Sequence, residues 1–193
     1  MSLIRKVAAK AHNSTKVVDS TGVTRPLKLL NFLSSGTRLN RLDAVAVSDY
    51  AAGFLEGTTI LFPDNDEYII SRITQDYYKN EFIRVNMELI LCNNKVTITR
   101  QVVQSNNQGG VLGHVDTIIY ADVPCKVIPA TAVADKVDDV LLSSYVVIIP
   151  SLAVIDINDQ LQFAHTYKVG KIEGIKIVTE GAQELVFDRD LRW

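Results

Sequence analysis

Few residues of this chain have side chains able to act on a substrate: His12, His114 and His165, Cys92 and Cys125, and the acid pairs Asp138–Asp139 and Asp188 with Asp190. A metal centre needs such groups clustered at short spacing. Each histidine instead stands far from the others, with no second ligand nearby in sequence. A Ser-His-Asp arrangement would have to assemble from distant segments, without the Gly-x-Ser-x-Gly elbow that presents a nucleophile. Cys92 has no flanking base and no helix N-terminus to lower its pKa. Its place before Asn93-Asn94, at the end of an apolar alternation, favours packing. Two cysteines make no disulfide framework, so both read as buried or half-buried thiols. The paired acids fall on turns and strand edges, where carboxylates are solvated, and Asp188-Arg189-Asp190 fits an edge strand guarded by charge. No phosphate cradle is present: Gly109-Gly110-Val111-Leu112-Gly113 is followed by nothing basic. The sequence therefore assigns no catalytic residue, no cofactor and no metal, and points to a protein that is not an enzyme. A hydrolase acting on phosphate or glycan is the enzyme alternative. It would need His114, His165 and acids to converge on one concave surface.

Charge gives a clearer signal. Residues 1–41 carry Arg5, Lys6, Lys10, Lys16, Arg25, Lys28, Arg38 and Arg41 against one acid, Asp19, a balance of +7. Residues 101–193 carry seven bases and twelve acids, a balance of −5, and the whole chain comes to −2. A basic arm on an acidic body suits contact with nucleic acid or with an acidic neighbouring subunit. Those eight basic residues are the candidate interaction residues. Rings adjoin bases at Tyr68 with Arg72 and at Tyr77-Tyr78-Lys79, the pairing that single-strand binding uses. Packing of Tyr77 and Tyr78 on a barrel or a neighbour is the competing reading.

The elements that would position these residues are strands. Thr58 to Phe62 and Tyr68 to Ile73 flank Pro63-Asp64-Asn65-Asp66, which predicts a hairpin. Ile83, Val85, Met87, Leu89 and Leu91 alternate with a mostly polar set, the period of a half-buried antiparallel strand. Asn93-Asn94 reads as a turn, with Val96 and Ile98 on the return strand. Tyr145 to Ile149 is a continuous β-branched run, as in a buried strand. Short apolar segments between turns follow to Phe187. Leu3 to Ala11 and Val133 to Leu142 allow a few helical turns. The expected fold is mainly β: small antiparallel barrel or sandwich modules, an extended N-terminal arm, and at most short helices. The expected division is a basic arm at 1–45, an antiparallel module at 46–104, a linker at 105–110, whose Gln, Ser, Asn and Gly cannot bury apolar surface, and a barrel-like module at 111–193. No sequence repeat relates the halves. No apolar run reaches the length of a membrane span and the first residues are charged where a signal peptide is apolar, so a soluble protein made in a cytoplasm is expected.

Two stretches resemble the head-closure, stopper and neck connector proteins of tailed bacteriophages. One is Glu67-Tyr68-Ile69-Ile70-Ser71-Arg72-Ile73 followed, after a spacer, by Ile83 to Leu91 closing on Cys92-Asn93-Asn94. The other is Val154 to Leu161 with its Asp159-Gln160-Leu161, then Tyr167-Lys168-Val169 and Gly174-Ile175-Lys176-Ile177. The resemblance covers roughly residues 55–100 and 145–190, about half the chain. It implies a structural virion protein that forms a homo-oligomeric ring between portal and tail, closes the head, and is built into the neck after assembly in the host bacterial cytoplasm. Its implied partners are further copies, the portal or adaptor, tail proteins, and packaged double-stranded DNA passing through the channel, with no membrane and no small-molecule substrate. The motifs are fold signatures and carry over no catalytic residue, and the basic N-terminal segment lies outside them. Alternatives are another virion role (tail terminator, tail tube or capsid decoration) or a nucleic-acid-binding module using the basic arm.

Overall fold

A computed structural model of the chain describes residues 15–19, 21–32, 44–48, 54–105, 108–129, 145–164 and 169–189. Among them are twelve strands and no helix: β1 (Thr15–Asp19), β2 (Thr24–Phe32), β3 (Ala44–Ser48), β4 (Thr59–Leu61), β5 (Glu67–Tyr78), β6 (Glu81–Leu91), β7 (Asn94–Ser105), β8 (Val111–Pro129), β9 (Tyr145–Pro150), β10 (Gln160–Phe163), β11 (Val169–Thr179) and β12 (Ala182–Arg189). The segments that allowed helical turns, 3–11 and 133–142, lie outside the described residues.

The strands close into two antiparallel barrels of six. Around the first the order is β1-β2-β3-β6-β5-β4, and around the second β7-β8-β9-β12-β11-β10. Each order is the other displaced by six strands, so one topology occurs twice in tandem. The sequence hides this duplication because a barrel wall asks only for alternation and turns, and many residue sets satisfy both.

Two expected boundaries move. The arm supplies β1 and β2 to the first barrel, and its Val17 and Leu27 are fully buried there. A barrel cannot close without them: β1 pairs with both β2 and β4. Ser105 pairs with Val111 and Gln104 with Gly113, so the expected linker falls within the β7–β8 hairpin and not between the two modules. The chain crosses between barrels at Cys92–Asn93 instead. Accordingly β7 does not return along β6, as the Asn93-Asn94 turn suggested; it pairs with β8 and β10.

Alternation explains both cores and its failures explain the junction. Ile60, Tyr68, Ile70, Met87 and Leu89 point into the first barrel, and Val96, Ile98, Val147, Ile149 and Leu161 into the second. Ile69, Ile90, Val146 and Ile148 point outward on their strands yet are buried, because with Ala182 they form a third apolar cluster between the barrels. That is why Ile69-Ile70, Leu89-Ile90 and the run Val146 to Ile149 are apolar on both faces. A wall facing a core on one side and a neighbouring barrel on the other has no side left for water.

Backbone contacts fix the junction. Ser71 is an extra residue between the pairs Ile70–Leu89 and Arg72–Glu88, a β-bulge. Its carbonyl accepts the N–H of Gly181, in the β11–β12 turn, at 3.0 Å. Asn93 donates from Nδ2 to Val127 O (3.0 Å) and accepts at Oδ1 from Val127 N (2.8 Å), so its amide stands in for a paired strand residue on β8.

Candidate assembly surface

The β7–β8 hairpin outgrows its barrel. Pairing of β10 with β7 ends at Thr99, and pairing of β9 with β8 covers only Lys126 to Pro129. From Arg100–Thr117 to Ser105–Val111 the two strands hold each other, with no third strand among the described residues. Opposed residues share a face of such a ribbon. One face therefore carries the pair Val102–Val115 and the other the pair Val103–His114 with Ile118. Val102, Val103, Val111, Leu112, Val115 and Ile118 are all exposed, Leu112 to 69%. Between Gln101 and Ile118 the described residues carry a single formal charge, Asp116. A two-stranded ribbon is marginal alone in water, and apolar side chains on both faces are the composition of a segment that docks.

Arg100 anchors the base of the ribbon. Its guanidinium meets Asp159 at Nε–Oδ1 2.7 Å and Nη2–Oδ2 2.8 Å, donates to Val154 O at 3.1 Å, and lies 3.0 Å from an Asp156 carboxylate oxygen. Asp159 is buried and also accepts the Asp156 N–H at 2.8 Å. Burial by itself would raise the Asp159 carboxyl. The hydrogen bonds from Arg100 and Asp156 and the Arg100 charge outweigh that and hold it below the usual range. Arg100, Asp156 and Asp159, with Gln101, Asn158 and Lys171, line a polar cleft of about 370 Å³. The Arg100 hydrogen bonds tie the loop before β10 to β7, and the Asp156 N–H bond to Asp159 holds the loop itself, which makes the cleft a structural clamp. In the sequence Asn158-Asp159 shows only as a turn, because its partner lies 59 residues away.

A second projection ends β5 and β6. Lys79 and Asn80 both take positive φ, the turn of a tight two-residue hairpin. Tyr77 (61% exposed) and Tyr78 flank it; Tyr77 meets Phe82 edge-on at 5.6 Å, and Lys79 lies over the Tyr78 ring. Neither tyrosine packs into the barrel. Tyr68, the other ring considered for base stacking, is buried against Phe62 at 5.1 Å and offers no open face.

Of the eight candidate interaction residues, Arg5, Lys6, Lys10, Arg38 and Arg41 lie outside the described residues. Lys16, Arg25 and Lys28 fall on β1 and β2. Lys16 is exposed, and Lys28 is half-buried beside β3. Arg25 is committed within the barrel: its Nε meets Asp19 at 2.6 Å and its guanidinium lies 5.8 Å from the Phe54 ring centre. Thr21 and then Arg25 hold the Asp19 carboxyl well below the usual carboxylate range. Asp19 ties off the β1–β2 turn by accepting from Thr21 and Val23 as well. By register Lys16 and Lys28 fall on one face of the β1–β2 pair, and Arg25 falls on the other, where it meets Asp19.

His114 is exposed on the ribbon, while His12, His165, Asp138, Asp139 and Asp190 lie outside the described residues. Cys92 is half-buried and Cys125 buried, and burial pushes the Cys125 thiol up to about 12, which keeps it protonated. Among the described residues no group of three His, Cys, Asp or Glu side chains converges as a metal site would. Neither family models, curated proteins nor solved structures give a match to this chain.

Proposed function

We propose that this chain is a non-enzymatic structural subunit of a tailed-phage neck, forming a ring that joins head to tail. The observation that carries the reading is the β7–β8 ribbon. Two rigid closed barrels, joined by a buried apolar seam, project an almost uncharged two-stranded element whose apolar side chains face water. Closed barrels have few open edges and so resist random association, while a projecting ribbon gives each copy a directed contact. A ring needs that combination, because every subunit must meet the next through one defined contact between unlike surfaces. The sequence resemblance at Glu67 to Asn94 and Val154 to Ile177 points the same way. In this reading the partners are further copies, the portal or adaptor, tail proteins and the DNA that passes through the ring. The location is the virion neck, reached after assembly in the host cytoplasm.

Imaging of intact particles at side-chain resolution tests the proposal. One ring of copies at the head–tail junction is expected. Copies spread over the shell or stacked along the tail would replace it with a decoration or tail-tube role. Absence from the particle would overturn it.

A further inference from the structure

Two stretches of the second barrel leave a strand edge open among the described residues. On β8 the outer edge is unpaired from Val111 to Val123, since β9 reaches only Lys126 to Pro129. On β11 the pairing with β10 covers Val169 to Lys171, and Ile172 is held by Asn158 and Asp159. Beyond it, Glu173 to Thr179 has β12 on one side and nothing on the other. Both edges are apolar: Val111, Leu112, Val115 and Ile118 are exposed on β8, Ile175 and Ile177 on β11, with Ile177 at 75%.

Their positions are as informative as their composition. In the ring order β7-β8-β9-β12-β11-β10, β8 and β11 stand three places apart in a ring of six, on opposite sides of the barrel. Charge discriminates between the possible contacts. The β8 edge carries Asp116 and Asp122 and no base, while the β11 edge from Glu173 to Thr179 carries Lys176 beside Glu173, with Lys171 just before it. Two β8 edges would set acid against acid. A β8 edge against a β11 edge sets Asp116 near Lys176. Two β8 edges repel, and among these edges the β8 acids find a base only on β11.

We infer that the β8 edge at Val111 to Ile118 of one copy adds to the β11 edge at Gly174 to Val178 of the next, a head-to-tail strand addition that links copies into a closed series. The inference rests on the ring reading and names its interface. Main-chain hydrogen bonds between the edges supply affinity, and the valines and isoleucines on alternate positions supply the fit. Because the two surfaces are different, each copy uses one of each, and a rotation between neighbours that closes on itself makes the series a ring.

Complementary blocking variants of the full chain test it. Val115→Lys blocks the β8 edge and Ile177→Lys blocks the β11 edge, so the doubly substituted contact sets like charges together. Both sites are exposed, and unchanged circular dichroism and thermal midpoints establish that the variants fold. Sedimentation and native mass spectrometry over a concentration series should show wild-type chain assembling and each variant associating at least ~10-fold more weakly. Mixed together, the two variants retain one good interface and should stop at heterodimers. Folded variants that assemble like wild type would overturn the inference while leaving the ring reading standing. A mixture that regains full-size assemblies, or variants that do not complement, would overturn the head-to-tail pairing. Wild-type chain that stays monomeric throughout would overturn both the interface and the ring.

Discussion

Gly181 and Ser71 hold the two barrels together through their backbones: the Gly181 N–H donates to the Ser71 carbonyl at 3.0 Å, made available by the bulge in β5. The approach is so close that a Cβ at Gly181 would lie 2.3 Å from Ile70 O and 2.6 Å from Gly57 N. Those atoms are backbone and cannot swing aside. Glycine is required here for space.

Gly181→Ala should therefore loosen the junction. Replacing glycine ordinarily stabilises a chain by about 0.4–1 kcal/mol through the unfolded state, so the clash decides the sign. A net loss of about 2–3 kcal/mol is expected. Urea unfolding followed by fluorescence should change from one transition to two as the barrels uncouple. A single transition at the wild-type midpoint would show that the contact is not required.

Asn93 gives a finer test of the same seam. Asn93→Ala removes two hydrogen bonds to Val127 and should cost about 1 kcal/mol. Asn93→Asp should cost more than alanine at neutral pH, because it sets a carboxylate oxygen against the Val127 carbonyl. Thermal midpoints of the two variants check the order.

The Arg100–Asp159 clamp predicts acid sensitivity. The Asp159 carboxyl is lowered in the folded state, so its contribution is complete above the ordinary 3.8 and is lost as pH falls through the lowered value. Arg100→Ala leaves a buried carboxylate without its counter-ion and should destabilise by about 3 kcal/mol. Its deficit should shrink at low pH, where Asp159 takes a proton. Midpoints measured from neutral to acid pH should converge; parallel curves would count against the clamp.

Glu180 titrates in the opposite sense. Its hydrogen bond to Glu56 and then the Glu56 charge raise its carboxyl above the ordinary 4.5, against the pull of Arg72. A raised carboxyl stabilises fully below the unfolded value, and the benefit disappears as pH rises through the folded one. Glu56 itself accepts the Ile73 N–H at 2.6 Å, so the carboxyl pair sits where the β11–β12 turn meets β5. Glu180→Gln should raise the thermal midpoint at neutral pH and lose that advantage on acidification. No pH dependence of the difference would sink the idea.

Local structure was legible in the chain. Pro63 to Asp66 turns β4 into β5, the alternation through Val85, Met87 and Leu89 lines a barrel, and Val146 to Ile149 is buried on both faces of its strand. The alternation misleads at the ends of β6, where Phe82 is buried in place of Ile83. A bulge between Asp76 and Tyr77 shifts the pairing there, and a bulge leaves no trace in residue type. Of the candidate surface, only the exposed Tyr77-Tyr78-Lys79 was visible beforehand. The ribbon was concealed because Gln104 to Gly110 has the same polar, glycine-rich composition at a hairpin end as it would between domains.

The sequence by itself determined that this protein is built of strands, where most of them run, and that its two ends differ in charge. Those properties are set by neighbours a few residues apart: period-two burial, turn residues and composition. Only the tertiary structure decided that β1 and β2 close a barrel, that the same six-strand order recurs, that the crossing falls at Cys92–Asn93, and that among the described residues β8 and β11 each leave an edge open. Strand order depends on which distant edges meet, and an edge is open only by virtue of what does not reach it. Periodicity records that a residue is covered, and Ile69 shows the limit of that record. Its burial is written in its side chain, but the second barrel that covers it is assembled from residues far along the chain.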